Sequence, residues 1–379
     1  MNTDYRAAFI RGGTSKALVF HERDLPADRA QRDAIFLRAM GSPDPHGRQL
    51  DGMGGGLSSL SKVCIVGPPS IEGADVDYTF AQVQVDRRAV DYVGNCGNMA
   101  SAIGPFAVDE GLVAAEDGNA TVRIHNVNTR KVIASSFDVR AGRAIEQGDY
   151  AIHGVAGTGA PIRLDFLDPG GAGTGSLLPA GQSTDDLVVD GAPTLSASLV
   201  DAGNPVVFVD AAAVGLTGTE LPEIIDADDL LMTRLEAIRR AGSVRMGLAV
   251  DEHAAGQNRM TPFIALVAAP QPYTTLSGDR VDESEVDLTV RFLSSGKAHR
   301  ALPLTGALCA AVAAHLPDSV VHRYARIPRD GRPIRLGSPS GLLEVNASII
   351  EKGPNIPVRC EFATIYRTTR RLFTGWVRA

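Results

Sequence analysis

The sequence predicts an α/β fold of the α+β kind, built from two similar domains. Three observations carry that expectation. Short strand-like runs alternate with helix-like runs along all 379 residues. Glycine (40) and proline (22) are abundant while aromatic residues make up 5%, which suits many tight turns between short strands. Each half also holds a strand-rich segment, a small-residue loop (Gly94 to Asn98; Leu304-Thr305-Gly306), an apolar helix-like run and more strands. The echo suggests two domains facing each other across a cleft, each offering one helix N-terminus.

The elements follow in order. Residues 5–20 read as two strands joined by the turn Arg11-Gly12-Gly13-Thr14-Ser15-Lys16. Residues 28–40 predict a helix, with Ala30, Ala34, Leu37 and Met40 at helical spacing and Gly41-Ser42-Pro43 as the stop. Residues 63–66 and 78–85 are strand-like, residues 99–112 helical, and 121–127 with 131–139 a hairpin around Thr129-Arg130. The run Asp168-Pro169-Gly170-Gly171-Ala172-Gly173-Thr174-Gly175-Ser176 opens a composition break over 168–185, read as a surface linker between domains. Beyond it, 195–209 is strand-like around Asp201-Ala202-Gly203-Asn204-Pro205. Residues 226–241 predict a helix with acidic Asp226, Asp228 and Asp229 first and basic Arg239 and Arg240 last, matching its macrodipole. Residues 261–268 and 287–292 are strands, and 305–316 an alanine-rich buried helix ended by Pro317.

Composition excludes several classes. Apolar residues make up 44%, enough for a sizeable core, and charged residues 21%, well mixed. Net charge is −7 and no basic–aromatic tract occurs, so nucleic acid is not an expected partner. No apolar run reaches membrane-spanning length and no signal peptide opens the chain, so a cytoplasmic protein is expected. Cys64, Cys309 and Cys360 sit in apolar runs and read as small buried hydrophobes. The eight histidines are scattered, so no metal site is expected. There is no G-x-G-x-x-G after a strand, no phosphate loop in the right order, and no G-x-S-x-G elbow.

What remains is a lysine and a cysteine in small-residue loops. Gly94-Asn95-Cys96-Gly97-Asn98 leaves the Cys96 thiol uncrowded at the start of a helix, where negative charge is favoured. Asp51-Gly52-Met53-Gly54-Gly55-Gly56 leads to Ser61-Lys62, and glycines there free backbone N–H groups for an anion. A lysine kept from water is a usable general base near neutral pH. Lys62 also reads simply as an edge lysine entering a strand, and Cys96 as a small filler. Arg11 to Lys16 reads either as a hairpin turn or as a carboxylate clamp whose donors are Thr14, Ser15 and backbone N–H groups. Lys297-Ala298-His299 reads either as solvated loop or as cleft residues, and Gly337-Ser338-Pro339-Ser340-Gly341 chiefly as a turn.

Together these residues resemble the PrpF family, the methylaconitate and oxalomesaconate isomerases of the diaminopimelate-epimerase-like fold. The matching strings, in order, are Arg11-Gly12-Gly13-Thr14-Ser15-Lys16, Gly41-Ser42-Pro43-Asp44, Asp51-Gly52-Met53-Gly54-Gly55, Ser61-Lys62, Asp75-Val76-Asp77-Tyr78, Gly94-Asn95-Cys96-Gly97-Asn98 and Gly104-Pro105-Phe106-Ala107. Asp201-Ala202-Gly203-Asn204-Pro205, Arg245-Met246-Gly247, Pro339-Ser340-Gly341 and Arg370-Arg371-Leu372 continue the series.

The resemblance implies two pseudo-symmetric domains, each a curved sheet around a central helix, with the site between them. It assigns residues 1–183 plus 355–379 to the first domain and 184–354 to the second. It implies proton transfer without cofactor or metal, with Lys62 as base and Cys96 beside or opposite the substrate. Arg11, Thr14, Ser15, Lys16, Met53, Gly54, Gly55, Ser58, Asn95, Gly97 and Asn98 would bind substrate from the first domain. His299, Thr305, Gly306, Ser338 and Ser340 would bind it from the second. The family often carries histidine where Ser338 stands, and residues 300–306 match only some branches, so that wall should set specificity.

The expected activity is a 1,3-allylic proton shift on an unsaturated di- or tricarboxylate such as 2-methylaconitate or 4-oxalomesaconate, in a possible homodimer. The alternatives are a cofactor-independent racemase or epimerase, which on this fold uses two opposed cysteines, and a non-catalytic anion-binding protein.

Overall fold

The computed structural model describes residues 3–92, 96–189, 193–350 and 358–379. The chain divides into two compact units, Met1–Asp165 with Tyr366–Ala379, and Phe166–Ile365.

The first unit contains β1 (Asp4–Gly12), β2 (Ser15–His21), α1 (Arg29–Met40), β3 (Lys62–Gly67), β4 (Val76–Val83), α2 (Gly97–Asp109), β5 (Gly118–Asn126) and β6 (Lys131–Arg140). The second contains β7 (Leu195–Asp201), β8 (Pro205–Asp210), α3 (Asp229–Arg245), β9 (Phe263–Ala268), β10 (Leu288–Ser294), α4 (Leu304–His315), β11 (Ile334–Ser338) and β12 (Gly341–Ile350). The chain returns through β13 (Arg359–Arg367) to β14 (Thr369–Arg378), which pairs antiparallel with β1.

The strand pairings make the repeat explicit. In the first unit β1–β2 is antiparallel, β2–β3 parallel, β3–β4 antiparallel, β4–β5 parallel and β5–β6 antiparallel. The second unit runs β7–β8, β8–β9, β9–β10, β10–β11 and β11–β12 in the same alternation. In both, one helix bridges the first parallel pair and a second helix bridges the next. Each parallel step needs such a crossover.

Each sheet buries both faces. On one face of the first unit, Ile35, Phe36 and Met40 of α1 pack with Phe9, Leu18, Phe20, Val63 and Ile65. Leu231, Leu235 and Ile238 of α3 pack equivalently with Leu199, Val207, Ile264 and Leu266. The other helix of each unit is apolar nearly all round, as a helix enclosed by strands must be. Met99, Ile103 and Phe106 of α2 are buried among β1, β2, β3, β5 and β6. Leu304, Leu308 and Ala311 of α4 are buried in the second unit. Gly104 lets α2 approach β6, since a Cβ there would lie 2.7 Å from the Phe137 ring and Ser135 Oγ.

Local signals explain most ends. Asp28 caps α1 by accepting from Gln31 N at 2.9 Å, and Gly41 closes it in the left-handed conformation at φ 72°. One expected helix is shifted. Asp226 ends a short helix, Pro222–Asp226, and α3 starts after Asp228, which accepts from Leu231 N. Arg239 and Arg240 are therefore not its last turn. Both bond Glu236 one turn back.

The expected linker over 168–185 is a structured part of the second unit. The Asp201 carboxylate gathers Gly173 N, Thr174 N and the Thr174 hydroxyl at 2.7–2.8 Å. Gly203 N donates to Pro169 O, and Asp185–Leu187 pairs with β7. Composition reads as a linker because glycine supplies tight turns here, not because the chain is loose. The units accordingly divide after Asp165 and Ile365, not near 183 and 354. Among the described residues no helix is long and apolar enough to cross a membrane.

Candidate active site

Lys62 opens β3 between β2 and β4, opposite Ala17 on one side and Gln82 on the other. Alternation along strands puts Ser15 and Ala17, Lys62 and Cys64, and Gln82, Phe80 and Tyr78 on one face, the face that α2 covers. Lys62 is only 8% exposed. Its Nζ donates to Gln82 Oε1 at 2.6 Å and lies 4.9 Å from the centre of the Phe80 ring. Gln82 Nε2 donates to the carbonyls of Ser58 and Ser61 at 3.0 Å, which fixes the amide so that its oxygen meets the lysine. No carboxylate pairs with Lys62 among the described residues.

Cys96 is the N-cap of α2, with extended backbone, and is half-buried. Its Sγ lies 4.0 Å from Ser15 Oγ. Ser15 thus stands next to Cys96 and one ladder step along the face from Ala17, the partner of Lys62. Below them Cys64 Sγ donates to Tyr78 Oη at 3.8 Å, and burial pushes both the thiol and the phenol up, so both stay protonated at neutral pH.

The β1–β2 turn docks on the same helix end. Asn98 Nδ2 donates to Thr14 Oγ1 at 3.0 Å, and Arg367 Nε donates to Asn98 Oδ1 at 2.9 Å. The two turn glycines are sterically required. A Cβ on Gly12 would lie 2.6 Å from Asn98 O, and one on Gly13 2.2 Å from Asn98 Oδ1. Arg11 turns back on the turn, with Nη1 donating to Gly13 O, Thr368 O and Thr368 Oγ1 at 2.9–3.1 Å. It braces the hairpin, whatever else it does.

The structure therefore gathers Thr14, Ser15, Lys62, Cys96, Gly97 and Asn98. It separates Lys16, whose Nζ lies 5.5 Å from the centre of the Phe9 ring, on the α1 face. Met53 packs against the α1-face core too. The expectation of free N–H groups in the glycine loop fails for most of it. Met53 N and Gly54 N donate to Ala39 O and Met40 O, and Gly56 N to Gln49 Oε1. The glycines are there for close approach. A Cβ on Gly54 would lie 2.3 Å from the Gln49 amide, one on Gly55 2.7 Å from Leu60, and one on Gly52 2.1 Å from Gly41 N. Ser58 holds Gln82 through its carbonyl. Gly94 and Asn95 lie outside the described residues.

In the second unit, the residue matching Lys62 as first of its strand is Phe263, and the helix N-cap matching Cys96 is Pro303. Gly203, at φ 79°, faces Thr305 as Gly13 faces Asn98. Gly306 packs under Phe292, where a Cβ would lie 2.8 Å from the ring. The His299 ring bonds Ser294 Oγ at 2.7 Å, and burial lowers its pKa. Ser338 donates to Gly341 O within its turn, and Ser340 Oγ to Arg300 O at 2.5 Å, tying that turn to the 300–306 stretch. A cavity of about 620 Å³ in this unit is lined by Asp226, Glu236, Arg240, Arg259 and Lys297; Lys297 is the only one of the expected cleft residues among them, and none of the expected substrate-binding residues lines it. Among the described residues no cluster of three or more His, Cys, Asp or Glu could hold a metal ion.

Sequence reasoning passed over Gln82 and Arg367. Gln82 carries a readable signal, an amide facing inward on an otherwise apolar stripe with Tyr78 and Phe80. Arg367 carries none, because its meaning depends on β14 returning to β1.

The fold defined by this repeat recurs in solved structures. A structure described as a probable proline racemase from Agrobacterium radiobacter K84 aligns over 98% of this chain and 92% of its own, with TM-score 0.52 and 14% identity. A crystal structure of methylitaconate-delta-isomerase aligns over 100% of this chain and 96% of its own, with TM-score 0.92 and 38% identity. A family model described as PrpF protein matches residues 3–379, and the chain belongs to that family. It is 40% identical to a 3-methylitaconate isomerase of Eubacterium barkeri (97% of this chain, 95% of the relative). It is equally identical to a 2-methyl-aconitate isomerase of Cupriavidus necator (98% and 96%). A (4E)-oxalomesaconate Delta-isomerase of Novosphingobium sp. (strain KA1) is 38% identical (97% and 96%). The chain is an isomerase, and its mixed α/β, sheet-dominated fold is that of the methylitaconate-delta-isomerase structure.

Proposed function

We propose that this isomerase moves a double bond by a 1,3-allylic proton shift on an unsaturated di- or tricarboxylate, without a cofactor. The observation that carries the reading is Lys62. It is an almost buried amine, oriented by a neutral amide rather than a carboxylate, on the face it shares with Ser15 and beside the helix end capped by Cys96.

In its unprotonated form Lys62 takes a proton from the carbon next to the double bond. The C–H electron pair moves into the allyl system, and the dienolate-like anion is delocalised onto the adjacent carboxylate. Hydroxyl and N–H donors around Thr14, Ser15 and Gly97 stabilise that charge; one such donor lowers a barrier by about 3 kcal/mol. A proton then returns at the far carbon, from Lys62 or Cys96, and the double bond has moved. Rotation in the anion gives a cis–trans product. A cytoplasmic location and a homodimer belong to the same proposal, tested by fractionation and light scattering.

A two-thiol racemase is not favoured. Cys309 lies inside α4, is fully buried, and donates to Val200 O at 3.4 Å. The test is proton NMR of the enzyme with 2-methylaconitate, 4-oxalomesaconate and methylitaconate in separate tubes. A migrated double bond in at least one supports the reading. Folded enzyme that leaves all three unchanged while racemising an amino acid refutes it.

A further inference from the structure

Three cations lie near the β1–β2 turn: Arg11, Lys62 and Arg367. Several arginines are matched to carboxylates, Arg239 to Glu236, Arg371 to Asp109 and Glu110, and both Arg332 and Arg335 to Asp287, whereas the buried Arg291 donates to the backbone carbonyls of Glu220, Val290 and Gly337. Arg11, Lys62 and Arg367 form no ion pair among the described residues, although the protein carries a net charge of −7. Of these three, Arg367 is the most buried, only 6% exposed. Its Nε bonds Asn98 Oδ1 and its Nη1 bonds Tyr366 O, both at 2.9 Å. Nη2 has no partner among the described residues, and it is not one of the fully enclosed unpaired atoms, so solvent or a ligand reaches it.

A buried cation without a counter-ion is costly, and the cost is recovered when an anion arrives. The planar fork of a guanidinium fits a carboxylate better than an ammonium does. We infer that Arg367 anchors a carboxylate of the substrate, with Asn98 and Tyr366 holding its fork ready. This rests on the proposed polycarboxylate reaction and adds to it a binding residue on the last strand. The competing interpretation is that Arg367 only braces Asn98, and through it the Thr14 turn.

The test uses succinate, which binds through carboxylates and has no double bond to move, with its neutral diamide as control. Calorimetric titration compares wild type, Arg367→Met, Arg367→Lys and Asn98→Ala, each checked for fold by circular dichroism. Loss of a charged hydrogen bond corresponds to roughly 10- to 150-fold weaker binding. Arg367→Met should lose that much affinity for succinate and none for the diamide. Arg367→Lys should keep part of it, and Asn98→Ala, which leaves the charge in place, should lose less than Arg367→Met. If Arg367→Met does not fold, Arg367→Lys decides, because it must still weaken succinate binding and raise KM more than it lowers kcat. Wild-type succinate affinity in the folded variants, with only thermal stability reduced, overturns the inference in favour of a brace. So does a wild type that does not bind succinate. Isomerisation with unchanged succinate binding refutes the anchor alone. Weakened succinate binding in an enzyme that isomerises none of the three substrates refutes the reaction alone.

Discussion

Gly13→Ala is a demanding change for a single methyl group. Gly13 sits at φ 52°, where an L-residue costs about 1–2 kcal/mol. Its new Cβ would lie 2.2 Å from Asn98 Oδ1, 2.9 Å from Asn98 Cγ and 3.1 Å from Arg367 Cδ. Asn98 must therefore leave its position. That costs its bond to Thr14, about 0.5–1.5 kcal/mol, and the charge-assisted bond from Arg367, about 1.5–3 kcal/mol. The whole perturbation is about 3–6 kcal/mol if the turn cannot relax. Gly73→Ala is the control: Gly73 has φ 78° but nothing within 4 Å of the added methyl, so only the conformational cost applies. Urea unfolding should separate the two variants by at least about 2 kcal/mol. Turnover should fall in Gly13→Ala and stay intact in Gly73→Ala. Equal stabilities and equal rates would refute the claim that turn and helix end are one coupled unit.

Other consequences are simpler to state. Lys62→Met should lower kcat by about 10²–10⁴ or more while circular dichroism stays native; a wild-type rate would remove Lys62 from the base role. Cys96→Ala should lose less than Lys62→Met, and an unchanged rate would relegate the thiol to packing. Gln82→Leu removes the acceptor that orients Lys62, so the rate should fall; an unchanged rate would make Gln82 a spectator. Burial alone would raise the Glu110 pKa, but hydrogen bonds from Arg371, Arg6 and His21 outweigh it and hold it at about 2. A depressed carboxylate stabilises the fold above its unfolded value near 4.5 and loses that contribution as pH falls toward 2. Glu110→Gln should therefore cost stability at pH 7, with the gap to wild type closing between about pH 4.5 and 2. A gap independent of pH would show that charge is not its source.

Much of this was legible in the sequence because local rules govern it. The Gly13 turn, the Asp28 cap with its Gly41 stop and the apolar helix after Cys96 are each written in residues a few positions apart. Sequence misleads where glycine has more than one use. At 52–56 the glycines allow backbone to pass close to Met40, Gly41 and Gln49, and their N–H groups are largely taken. At 170–175 they shape turns around the Asp201 carboxylate. Lys16 adjoins Ser15 in sequence, but neighbouring residues on a strand face opposite ways. Arg367 could not be found locally, since Asn98 is 269 residues away in sequence.

The central claim is that Lys62 moves a proton across an allyl system. Proton NMR in D₂O, with wild type and Lys62→Met on the fastest of the three candidate substrates, tests it most directly. The account predicts deuterium at an allylic carbon together with a shifted double bond in wild type, and neither in folded Lys62→Met. Deuterium uptake at the wild-type rate in Lys62→Met would contradict it.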